Sequence, residues 1–315
     1  MSLSKMISYY VFFILTIWLF YSFDQINYDQ SNNPDILNYF EDYTRQYWNY
    51  DIGYELFVSF FRDYLDVSFD FFWMATLIVI TTLFFFANFK AICLIFIVTN
   101  FYFLAPIMGA QVRYFMAVGF FVCLMKYVRP QIALLLLLPV CFLHYGVFIA
   151  YFIFAFTFYF SNNITVNKLL SNRLVVISVV VCSILFLQSA ITFLIPYTRF
   201  AYYLDSFYLE GKSLTSIIYA VLSFYIIYCF YQRFINHSTV NNKDKILVLF
   251  GVLLSLLVVI TSPIAVLSGR YLLFYIFMES LIAGVVIKYD RKTFLFIMLV
   301  SVSKWVSIIN SGNLN

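Results

Sequence analysis

Charge is scarce in this chain. Only 11% of its 315 residues are Asp, Glu, Lys or Arg, against about 25% in a soluble domain. No polar stretch is long enough to fold by itself. These two shortages exclude an ordinary soluble enzyme and a separate water-soluble module. Histidine is rarer still, with only His144 and His237. Cys93, Cys123, Cys141, Cys182 and Cys229 all fall inside apolar runs and form no Cys-x-x-Cys pair, so they read as small hydrophobes. A His/Cys metal site is therefore not expected. No nucleotide motif, internal repeat or low-complexity segment is visible, and neither a cofactor nor a nucleic-acid partner is expected. The amino end "MSLSKMISYYVFFILTIWLFYSF" has no small-x-small cleavage site. It reads as an uncleaved first helix rather than a signal peptide.

What the chain does have is apolar surface: 64% hydrophobic residues and a mean hydropathy of +0.91. The class this implies is an all-α, polytopic membrane bundle forming one transmembrane domain over 1–315. A spanning helix needs about 20 mostly apolar residues. On that basis helices are predicted near 6–23, 69–88, 90–106, 110–127, 131–144, 145–160, 174–195, 213–233, 245–267, 270–287 and 293–310. Within the pair 131–160 the stretch "QIALLLLLPVCFLH" is short and contains Pro139, so it reads as a short helix or as one half of a broken or tightly turned hairpin, which gives ten or eleven spans. The longest polar stretch, 24–68, is a first extramembrane loop. Its segment "YELFVSFFRDYL" (54–65) is predicted to be an amphipathic helix lying on or dipping into the membrane.

The basic residues orient the bundle. With a cytoplasmic amino terminus, twelve of the 19 Lys and Arg fall inside and six outside, with Lys304 within the last helix. The acids segregate the other way: ten lie between Asp24 and Asp70, joined outside by Asp205 and Glu210. The outer basic set is five arginines to one lysine, whereas the inner set is mostly lysine. A topology signal needs no such choice. Two-pronged binding of a phosphate favours arginine.

Four arginines and a histidine share that outer side. Arg113 and Arg270 stand at the outer ends of two helices. Arg199 lies in an outer loop, Arg62 on the amphipathic segment and His144 at the turn of the 131–160 hairpin. A single arginine at a helix end also serves as a snorkelling anchor; several from separate helices suit one anion. Glu279 and Lys304 fall at similar depths and are expected to pair between adjacent helices.

Four stretches carry a family resemblance: "NPDILNYFEDYTRQYWNYDIGYELFVSFF" with Asp35, Tyr39 and Glu55; "QVRYFMAVGFFVCLMKYV" with Arg113; "CFLHYGVFIAYF" with His144; and "GRYLLFYIF" with Arg270. In these the chain resembles bacterial polysaccharide polymerases of the O-antigen polymerase (Wzy) type, in the branch of EpsG-like proteins. It departs from the family pattern at Tyr114, often Gln, and at Gly146, often Ser or Thr.

The resemblance implies a glycosyltransferase of the bacterial cytoplasmic (inner) membrane, working on its outer face among membrane lipids. A growing glycan on undecaprenyl diphosphate would be passed to a repeat unit on a second undecaprenyl diphosphate. It also implies a chain-length regulator protein as partner. Arg113, Arg270, Arg199 and Arg62 are the expected diphosphate ligands, Arg113 first. His144, Glu55 and Asp35, in that order, are candidates to take the proton of the acceptor hydroxyl. Tyr39, Tyr43, Trp48 and Tyr202 are expected to stack on sugars. A ligase using the same donor, and a flippase or transporter in which Glu279 and Lys304 work, are the alternatives.

Overall fold

The computed structural model describes residues 34–88, 94–194, 214–234 and 240–310, with a few positions between 6 and 14. Most of the predicted first helix, together with Arg199, Tyr202 and His237, lies outside the described residues. Every regular element among them is helical. The chain divides into two compact units, residues 1–152 and 153–315.

From Pro34 on, the described part of the first unit opens with two short helices that the membrane-span pattern does not show. The helix α1 (Pro34–Arg45) buries Ile36, Tyr39, Asp42 and Tyr43 on one face. Asp35 in its first turn and Arg45 in its last suit the helix dipole. It ends with Gln46 at φ 58° and a bond from the Tyr47 amide to the Asp42 carbonyl at 3.3 Å, a left-handed stop of the Schellman type.

Next comes α2 (Ile52–Ser59), continued by a π-helical turn over Phe60–Tyr64. It buries Tyr54, Glu55 and Val58, while Ile52, Leu56, Phe60 and Tyr64 stand exposed at four-residue intervals. The amphipathic segment predicted over 54–65 is this element.

Three longer helices follow: α3 (Phe69–Asn88), α4 (Leu94–Ala110) and α5 (Val112–Tyr127). The sequence predicts the latter two over 90–106 and 110–127. Most of α5 is buried. A Cβ on Gly119 would stand 2.7 Å from that of Leu83, so α3 and α5 pack closely. Lys126 and Tyr127 both donate to the Phe86 carbonyl, at 2.8 and 2.7 Å. These contacts run α3 and α5 in the same direction, so both begin at the end of the unit that holds α1 and α2. The hairpin is α6 (Pro130–Val140), a turn, a single 3-10 turn (Tyr145–Val147) and α7 (Phe148–Phe160), within which the unit boundary falls.

The second unit contains α8 (Ile164–Ser171), α9 (Arg173–Leu194), α10 (Leu214–Phe234), α11 (Asn242–Ile260), α12 (Ala265–Tyr289) and α13 (Arg291–Asn310). Its core is α12, buried from Tyr271 to Val286 and packed by α10, α11 and α13. The basic residues assigned to the inner side gather at one end of this unit. There Lys288 bonds Asp244 at 3.0 Å and Arg233 approaches Asp290 at 3.6 Å. Arg270 stands near the start of α12, at the opposite end. The expected pair of Glu279 and Lys304 is present and buried. One Glu279 oxygen accepts from Tyr219 at 2.7 Å; the other accepts from Ser301 at 3.0 Å and from Lys304.

Three described helices are long and apolar enough to cross a membrane by themselves: Phe69–Asn88, Thr215–Phe234 and Ala265–Tyr289. A fourth span results if the pair Tyr145–Phe160 and Thr165–Ser171, bent by 116°, counts as one. Among the described residues, the other predicted spans are shorter or carry polar ends. Pro139 falls one residue before the end of α6, and α11 opens on the polar residues Asn242 to Lys245.

Candidate active site

The site forms where α1, the start of α2, the start of α5 and the hairpin turn meet in the first unit. Gly53 sets the closest approach. Its amide donates to the Phe142 carbonyl at 2.9 Å, and a Cβ there would lie 2.8 Å from the Phe142 carbonyl carbon and oxygen. Backbone meets backbone, so only glycine fits without displacement. The chain at 51–53 is thereby pressed against the turn at 141–147.

Arg113, in the first turn of α5, points into this junction. Its Nε donates to the Tyr39 hydroxyl at 3.1 Å and its Nη1 to Asp51 Oδ2 at 2.7 Å. Its guanidinium carbon lies 4.1 Å from the centre of the Tyr50 ring, with the Tyr39 and Tyr54 rings at 5.8 and 5.9 Å. Nη2 has no hydrogen-bond partner among the described residues, and the side chain is 23% exposed. A guanidinium against aromatic faces is stabilised by about 0.5–2 kcal/mol per good contact. Arg113 is thus held through Nε and Nη1 and covered by the Tyr50 ring.

The carboxylates around it differ in setting. Asp51 uses both oxygens, because Oδ1 accepts the Tyr145 amide at 3.2 Å. Glu55 is 1% exposed; its Oε1 accepts the Tyr50 amide at 2.7 Å, and its Oε2 is buried without a hydrogen-bond partner among the described residues. Burial raises the Glu55 carboxyl above its ordinary 4.5, against the pull of the Tyr50 amide. Asp42 is buried too and is raised by the same cause, against a bond from Asn49 at 3.0 Å. Asp35, in the first turn of α1, contributes negative charge at Tyr39 and Tyr50.

His144 leads the 3-10 turn of the hairpin. Its Nδ1 accepts the Gly146 amide at 3.0 Å, and its ring packs edge-on against Tyr114 at 5.2 Å. The neutral tautomer that fits this bond carries its proton on Nε2. Held so, His144 presents an N–H there rather than a lone pair. A Cβ on Gly146 would crowd the imidazole at 2.8 Å, so the departure from Ser or Thr at this position belongs to the way this turn holds the ring.

The structure brings Tyr39, Glu55, Arg113 and His144 to the same end of the first unit. Arg62 is there too, but its Nε and Nη2 both bond Asp63, at 2.6 and 2.9 Å. Arg270 belongs to the second unit. Among the aromatics, Tyr43 is pinned by its hydroxyl to the Val67 carbonyl at 2.7 Å and stacks on Phe72. Trp48 is 57% exposed and offers a face. Sequence reading did not single out Asp51, Tyr50 or Tyr54. Asp51 precedes a helix, where aspartate is an ordinary cap, and that masks a longer-range role.

Among the described residues no cluster of His, Cys, Asp and Glu suits a metal ion. Comparison with curated proteins and with solved structures gives no match to the chain. Comparison with protein families does, and because the match runs over residues 7–315, the chain belongs to the EpsG family.

Proposed function

We propose that this polysaccharide-polymerase-like membrane protein is a glycosyltransferase. In this reading it transfers a glycan from one polyprenyl diphosphate to a repeat unit carried on another. EpsG membership supports the polymerase class. The observation that carries the chemistry is Arg113, fixed at the first turn of α5 with Nη2 turned to no described partner. An arginine beside a helix amino terminus combines a guanidinium with partial positive charge on the first amides, which favours a phosphate.

In the transfer, the bond from the sugar's anomeric carbon to the diphosphate oxygen breaks. The leaving diphosphate gains negative charge, which Arg113 offsets. The acceptor hydroxyl attacks the anomeric carbon and gives up its proton. Glu55 is the preferred acceptor of that proton: its Oε2 lacks a partner and its raised carboxyl lies nearer the working pH. Reaching it requires the cover over Glu55 to open on substrate binding. His144 stands in the hairpin turn beside the site, Trp48 and Tyr50 offer faces for sugar rings, and Arg270 and Arg199 are further candidates for anion binding.

Extraction of lipid-linked glycans from cells lacking the gene tests the reading. A polymerase leaves single repeat units on the outer leaflet. Full-length polymer retained on lipid would point to a ligase, and single units confined to the inner leaflet to a flippase; either result refutes polymerisation.

A further inference from the structure

We propose that Asp51 is a positioning residue, whose one carboxylate fixes the anion-holding Arg113 relative to the hairpin turn that carries His144. The inference rests on the reading of Arg113 given above.

Asp51 precedes α2, where an aspartate side chain normally accepts an amide of its own helix. Here it makes no such bond. Its main-chain carbonyl takes the Tyr54 and Glu55 amides, at 2.9 and 3.0 Å. The carboxylate turns away to residues 62 and 94 positions distant, Arg113 through Oδ2 and the Tyr145 amide through Oδ1. Forgoing the cap leaves the first amides of α2 without that side-chain acceptor. What offsets it is a charge-assisted bond to a partly buried guanidinium.

The second support is the Gly53 contact. Because Gly53 seats the chain on the Phe142 carbonyl, Asp51 cannot drift with respect to the turn. Arg113 therefore takes its orientation from the same backbone that holds His144. With Asp51 on Nη1 and Tyr39 on Nε, the donor left facing a ligand is Nη2. Asp51 itself needs no contact with substrate. Its role is to make the separation between the anion and the hairpin constant, and misplacement of about 1 Å at a reacting centre lowers rate about 100-fold.

The test uses full-length protein in producing cells, and the purified protein in nanodiscs of phosphatidylethanolamine and phosphatidylglycerol. Asp51→Asn keeps an acceptor for the Tyr145 amide but loses the charge on Arg113, whereas Asp51→Glu keeps the charge. At matched membrane levels, Asp51→Asn should lower polymer output about 100-fold, and Asp51→Glu should recover at least about tenfold of that. Binding of methylenediphosphonate, measured calorimetrically, should stay within about threefold of wild type in Asp51→Asn, because the ligand is held by Arg113. Polymer at wild-type level in Asp51→Asn overturns the proposal. So does a loss shared equally by both variants and accompanied by a lower melting temperature, which is what a purely structural role produces. A wild-type protein that makes polymer yet binds no methylenediphosphonate refutes the diphosphate reading of Arg113 instead, and the two failures are thereby told apart.

Discussion

Arg113 and Asp51 are 62 positions apart in sequence and meet at 2.7 Å. Their pair ties the start of α5 to the residue that leads into α2. The Tyr50 ring covers the guanidinium on one face. Tyr50→Phe keeps that face and should leave the melting temperature close to wild type. Tyr50→Leu removes it and should destabilise by about 0.5–2 kcal/mol, read as a shift in the denaturant midpoint of the detergent-solubilised protein. Equal stability of the two variants would show that the ring does not support Arg113.

Gly53→Ala should be severe for its size. The added methyl meets the Phe142 carbonyl at 2.8 Å, and backbone yields less readily than a side chain. A destabilisation of about 1–3 kcal/mol and a clear loss of polymer are expected. Gly269 has nothing within 4 Å of a Cβ, so Gly269→Ala is the control and should melt like wild type. Indistinguishable melting of the two variants would remove the close approach from the account.

Glu55 predicts opposite trends in stability and activity with pH. Its folded carboxyl titrates above the ordinary 4.5, so ionisation is disfavoured in the folded protein. The sign follows: the stability of wild type relative to Glu55→Gln is greatest below 4.5 and falls as pH rises through the raised value. Polymerisation should rise over the same window, because only the ionised group takes a proton. Glu55→Gln retains an acceptor for the Tyr50 amide but should lose activity at every pH. An active Glu55→Gln variant would pass the proton-accepting role to another group.

In the second unit, Glu279 and Lys304 form a pair closed by Tyr219 and Ser301. Removing one partner strands a buried charge. Lys304→Met or Glu279→Gln alone should lower stability by about 3–5 kcal/mol, and the double variant should recover most of it. If the pair is structural, polymer returns with stability. A stable double variant without polymer would show that the pair acts in function.

Much of the helical frame is legible in the sequence because long apolar runs have one outcome in a bilayer. The run predicted over 69–88 is the helix Phe69–Asn88. The helix Pro34–Arg45 is not legible that way. Its apolar face is Ile36, Tyr39 and Tyr43 set among acids, and in a stretch of 45 mostly polar residues that pattern reads as loop. Arg113 stands out as a charge at the edge of an apolar run. Asp51 does not, because its importance lies in contacts with residues distant in sequence. The proton on His144 is equally hidden, since it depends on the backbone amide of Gly146.

The central claim is that Arg113 holds a diphosphate, and Arg113→Lys in the producing host tests it most directly. Lysine keeps the positive charge but loses the planar fork, its bond to Tyr39 and its Nη2. With membrane levels matched to wild type, the account predicts that the polysaccharide ladder on a gel collapses to single capped units. A ladder of unchanged length and intensity would contradict it, leaving Arg113 as an anchor that only pins α5 to Asp51.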